Sequence, residues 1–153
     1  MKVGLAAVLF VIAAAGCSAP GMSAQSTPSG SPVPSALGAP SGPLDAEVSM
    51  PQGFPADVPI YTGARLTAGA GFTGTGVMTW GMEWETVDSV QKVRSFYASK
   101  FSSGDWTIKF TSDASTGFTA TVARKSNSQT TGILGADGSS GVTKISLSLV
   151  VPS

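Results

Sequence analysis

Val77-Met78-Thr79-Trp80-Gly81-Met82-Glu83-Trp84-Glu85 is the stretch that decides the fold. Met78, Trp80, Met82 and Trp84 occupy every second position, and a strand turns successive side chains to opposite faces, so this segment reads as a strand with one strongly apolar side. Such a side needs cover. The next segment offers it: Asp88 is placed to cap a helix running to about Phe101, with Gln91 completing a capping-box pattern and Gly104 just beyond the end. Val90, Val93, Tyr97 and Phe101 recur at helical spacing with Phe96 beside them, one apolar stripe.

Working outward, Ala64-Arg65-Leu66-Thr67-Ala68 reads as an earlier strand, joined to the first by a glycine-rich turn from Gly71 to Gly76. The glycine spacing there is not a phosphate site, because no helix begins after it and no Lys follows. Beyond the helix, Trp106 to Phe110, Phe118 to Val122 and Ile145 to Leu149 alternate strongly, Thr130 to Leu134 alternates weakly, and Asp137 to Gly141 reads as a hairpin turn. Short connections suit antiparallel pairing. The expected fold class is α+β: an antiparallel sheet of five or six strands with one helix packed on one face, preceded by a disordered tether. Trp80 and Trp84 are expected to be core residues under the helix. The other face carries Thr79, Glu83, Thr107, Lys109, Thr119, Thr121, Ser146 and Ser148, and is either a plain solvated surface or a place to receive a partner.

The residue inventory narrows the chemistry. The chain has no histidine and one cysteine, Cys17. Ser-His-Asp and Cys-His catalysis and His- or Cys-based zinc sites are thereby excluded from the mature chain, and so is an intrachain disulfide. Carboxylates remain the main acid/base candidates. Glu83 and Glu85 share one side of their strand and are expected to be wet, ordinary carboxylates, which are poor proton donors near neutral pH. No catalytic residue, cofactor or metal is therefore expected. Lys and Arg nowhere cluster, which removes the electrostatic case for nucleic acid.

The N-terminus carries an address. Met1 and Lys2 precede an apolar run from Val3 to Ala15, too short to span a bilayer, which requires about 20 residues. The run ends in Ala14-Ala15-Gly16-Cys17, which resembles the bacterial lipobox, with Ala14 where Leu is usual. That resemblance implies removal of residues 1–16 and lipidation of Cys17, hence a lipid-anchored protein on the extracytoplasmic face of a membrane. Ser18 permits outer-membrane sorting in an organism that has an outer membrane. From Ser18 to Pro43 no residue is charged, and Ser, Pro, Gly, Ala and Thr dominate. Such a composition cannot offset the entropy of ordering, so residues 17–43 are expected to form a tether, either a plain spacer or an O-glycosylated stalk, and residues 44–153 a single α+β domain.

Phe54-Pro55-Ala56-Asp57-Val58-Pro59-Ile60-Tyr61-Thr62-Gly63-Ala64, with Thr86-Val87-Asp88-Ser89, Phe96-Tyr97 and Gly104-Asp105-Trp106, resembles a group of small uncharacterised bacterial lipoproteins and secreted proteins. These share a P-x-D-x-P-x-Y-x-G-A entry and a T-x-D-S…F-Y…G-W passage from helix to strand. The resemblance covers about residues 54 to 149; it implies fold and export and supplies no mechanism. Pro55 and Pro59 fix an extended entry. Ile60 and Tyr61 are then placed to seal one end of the core; alternatively Phe54, Pro55, Pro59 and Tyr61 make a docking ridge for an envelope partner.

The expected function is a membrane-anchored, monomeric, non-catalytic binding or structural module of the cell envelope, its partner a protein or glycan. A carrier of a small apolar ligand held between helix and sheet is the alternative, and a carboxylate-dependent hydrolase the third reading.

Overall fold

The alternation of Trp80, Met82 and Trp84 holds in their strand, where all three are buried, while Met78 is half-buried and Glu85 is buried from the opposite face. In the computed structural model, which describes residues 44–152, the elements run β1 (Arg65–Gly74), β2 (Val77–Thr86), α1 (Val90–Ser102), β3 (Trp106–Ala114), β4 (Gly117–Arg124), β5 (Thr131–Asp137) and β6 (Thr143–Pro152). The expected signal peptide, Cys17 and the tether lie outside the described residues. All six strands join one antiparallel sheet in the order β1-β2-β6-β5-β4-β3. The chain leaves β2 through α1, starts again at the far edge with β3, and steps back strand by strand until β6 closes against β2. That path gives α+β architecture with a single helical layer.

The helix lies against β3, β4 and β5. Its expected stripe is the buried one: Val90, Val93, Tyr97 and Phe101 all face the core. The cap differs from expectation. Ser89, not Asp88, is the N-cap residue and accepts from the Lys92 N–H, while the Gln91 amide donates to the Ser115 carbonyl instead of closing a capping box. Asp88 is thereby released for a tertiary contact. At the other end Gly104 takes φ +81°, a left-handed conformation that glycine adopts without steric cost.

Over β1 and β2 the cover is different. Trp80, Met82 and Trp84 are buried as their alternation implies, but the two tryptophans pack against Phe54 of the entry segment, while the helix packs mainly on β3, β4 and β5. The Phe54 ring meets Trp80 edge-on at 5.6 Å and Trp84 at 6.3 Å, and Tyr61 meets Phe96 at 5.1 Å. Two strips of chain, one helical and one irregular, thus share one face of the sheet.

β1 is also longer than its sequence suggests. Gly69 and Gly71 belong to the strand, and the turn is confined to the few residues between Gly74 and Val77. The reason is steric. A Cβ on Gly71 would lie 2.5 Å from the Trp80 ring, and one on Gly69 would lie 3.0 Å from the Met82 methyl. The large side chains of β2 lean across β1, and only glycine leaves them room. β5 is a comparable case: Gly132 would bring a Cβ within 2.6 Å of the Ser148 carbonyl, so the glycine that weakens the strand signal is required by close neighbours.

Candidate functional site

The residues expected on the polar side of the sheet do share one face, and the strand registers fix how they sit. One row across the sheet runs Phe72, Thr79, Val150, Thr131, Ala123, Thr107, and the next runs Ala70, Gly81, Ser148, Ile133, Thr121, Lys109. Glu83, Ser146, Gly135 and Thr119 follow in the third row, then Arg65, Glu85, Lys144 and Asp137 in the fourth. Small and hydroxyl side chains fill the middle. Two large apolar groups stand out of it: Ile133 is 57% exposed near the centre and Phe72 62% exposed at the β1 edge. A shallow depression of about 530 Å³ opens beside Ile133, bordered by Thr107, Thr121, Ser148 and Val150. A second, of about 600 Å³, lies toward the charged row, bordered by Glu83, Thr119, Asp137 and Lys144.

The charged row contains the main departure from the sequence reading. Glu85 has the expected facing, on the same side as Glu83, yet is only 1% exposed. A strap of chain at Asp45 covers it. The Asp45 N–H donates to Glu85 Oε2 at 2.7 Å, and Arg65 donates to the Asp45 carbonyl at 3.0 Å. Lys144 Nζ lies 2.7 Å from Glu85 Oε1 and 3.4 Å from Glu83 Oε1. Burial pushes the Glu85 carboxyl up, but the Lys144 and Asp45 hydrogen bonds outweigh it and hold the group below the usual glutamate range. A carboxyl kept ionised in this way is no general acid near pH 7. Parity in a strand gave its facing; nothing in the local sequence signalled the strap.

The burial of Glu85 replaces the expectation that it is a wet, ordinary carboxylate, and with it the prospect of a harmless substitution there. Glu85→Gln should cost about 1 to 2 kcal/mol at pH 7, in the lower part of the charged hydrogen-bond range because Lys144 keeps one side in water. The sign with pH is fixed by the lowered pKa. Its stabilisation is fully present above the ordinary glutamate range and is lost as pH falls through the lower folded value. Urea unfolding at pH 7 and pH 3 checks this: the gap between wild type and variant should narrow in acid, and an equal gap at both would refute the ion-pair account.

The motif residues turn out to bond one another. Asp57 accepts from Trp106 Nε1 at 3.0 Å and from Arg124 Nη2 at 2.8 Å, with the Arg124 guanidinium 4.9 Å from the Trp106 ring centre. Tyr61 donates its hydroxyl to Asp88 at 2.9 Å, and Lys92 pairs with the same carboxylate at 2.8 Å. The first two pin the entry segment to the sheet and the last pin it to the start of the helix. Of the residues offered as a docking ridge, Tyr61 is 8% exposed and Phe54 packs against Trp80 and Trp84, so both rings face inward; Pro55 and Pro59 stay half-buried at the surface. The seal on the core is made by Tyr61 with Phe54, whereas Ile60, expected to share it, is 37% exposed. No protein-family model matches the chain, and neither does any curated protein or any solved structure.

Proposed function

We propose that this chain is a lipid-anchored envelope protein that acts without catalysis, as a binding module whose receiving surface is the uncovered face of the sheet. The observation that carries the reading is the contrast between the two faces. One is sealed by α1 and by an entry segment held through Asp57 and Tyr61; the other is left open with Ile133 exposed among small side chains. Groups this small let a partner's backbone or a sugar ring approach closely, and an isolated aliphatic side chain supplies an anchor point. The lipobox-like Ala14-Ala15-Gly16-Cys17 and the uncharged stretch after it support presentation of that face away from a membrane.

The apolar-carrier alternative receives less support. Val93, Tyr97, Phe101, Leu134, Ile145 and Leu149 fill the layer between helix and sheet, none more than 1% exposed. A ligand there would have to displace packed side chains.

Photocrosslinking in intact cells tests the proposal. A crosslinking residue replacing Ile133 or Thr121 should give a discrete adduct, whereas one replacing Ser95 or Ser99 on the helix should not. Equal or absent labelling from both faces would sink the reading.

A further inference from the structure

The two edges of the sheet are treated differently. β3 is guarded: a register shift between Phe110 and Ser112 breaks the ladder, Lys109 and Asp113 lie along it, and Arg94 pairs with Asp113 at 2.6 Å. Bulges and charges of this kind are how natural sheets prevent an edge from pairing with another chain. β1 has protection only at its start, where Val48 N–H donates to the Leu66 carbonyl and the register shifts before Ala68. From Ala68 to Gly74 the strand is regular, and among the described residues nothing pairs with its outer side. It also lacks what would discourage pairing: from Leu66 to Met82 there is neither a charged residue nor a proline.

We propose that the β1 edge pairs with the β1 edge of a second copy, joining two sheets antiparallel about a two-fold axis. The lack of charge suits this occupant. In a two-fold pairing each edge faces its own sequence, so a charge near the axis would meet the same charge across it. The Leu66–Met82 hairpin carries none. With the axis at Gly71, Phe72 of each copy lies opposite Ala70 of the other, on the open face, and the most exposed aromatic ring gains cover from a small neighbour. The pairing also runs the two open faces together into one surface.

One strand edge and one ring bury less than the roughly 1,200 Å² of a stable specific interface, so association is weak in dilute solution and rises with concentration. The edge pairing does not depend on the lipid anchor or on what the open face binds.

The test uses the full chain in detergent with Cys17→Ser, which removes its one thiol. Chains carrying Ala70→Cys and Phe72→Cys are mixed and oxidised gently, with Lys109→Cys on β3 as the control for random encounter in the same micelles. Disulfide-linked dimers should form roughly tenfold faster, or more, from the β1 pair than from the control. Amide exchange along β1 in the unmutated chain should slow as protein concentration rises, with β3 unchanged. Equal trapping at both edges, or no concentration dependence at β1, overturns the proposal. Protection of β1 that appears only when another protein is added assigns the edge to a foreign strand and overturns it equally.

Discussion

Trp80→Ala should destabilise the domain by about 3 to 5 kcal/mol, the usual cost of truncating a large buried aromatic. The ring is 3% exposed and meets Phe54 edge-on at 5.6 Å, while Gly71 lies directly beneath it on β1. Removing it leaves Phe54 without its nearer partner and opens a gap between the entry segment and two strands. Domains of this size are held by about 5 to 15 kcal/mol, so the variant sits near the limit of folding. Gly71→Ala probes the same contact from the other side, since its Cβ would enter the ring's space. Denaturant melts of both variants check the packing. Near-neutral stability for Trp80→Ala would place that ring outside the core.

Which parts of this fold were legible follows from where the information sits. Strand β2 and helix α1 were readable because their signal is periodic and local: Met78 to Trp84 keep a period of two, and Val90, Val93, Tyr97 and Phe101 keep the helical one. β5 was the weakest strand in sequence because Gly132 and Gly135 dilute it, and Gly132 is there to clear the Ser148 carbonyl across the sheet. The same holds for β1, whose glycines read as a turn and serve the bulk of Trp80 and Met82. In both cases the neighbour that explains the glycine is distant in sequence. A propensity argument sees the glycine and not its reason.

The candidate site divides in the same way. Alternation placed Thr107, Thr121, Ser146 and Ser148 on one open face, since facing depends on parity alone. It also placed Glu85 there, and the strap at Asp45 then buried it. Tertiary cover of this kind leaves no periodic trace. The motif aspartates show the converse: Asp57 and Asp88 are exposed-looking acids in loop sequence, and each is committed to an aromatic partner, Trp106 and Tyr61. A signature that looked fit for recognition by a partner is used to fasten the chain to itself. The functional reading therefore moves from the Phe54–Tyr61 segment to the face that segment leaves uncovered.

Cys17→Ser should abolish lipid attachment altogether, the largest effect expected of any single change in the chain. The acyl chains of a lipoprotein are joined through the cysteine sulfur, and Cys17 is the one cysteine present, so no second residue can take its place. Serine keeps the size and loses the nucleophilic thiolate. Cleavage after Gly16 should fail with it, because that maturation follows lipidation, and the variant should keep the mass of the uncut chain. In a bacterial host with lipoprotein maturation, labelled palmitate should enter the wild type and be missing from Cys17→Ser. The Glu85→Gln variant should label normally, since it alters the folded domain and leaves the lipobox-like segment intact. Ala14 supplies a finer comparison: Ala14→Leu restores the usual residue and should raise or preserve the rate of processing, never lower it. Palmitate retained by Cys17→Ser would refute the anchor, and with it the placement of the domain at a membrane surface, while leaving the open face and the β1 edge to be judged on their own tests.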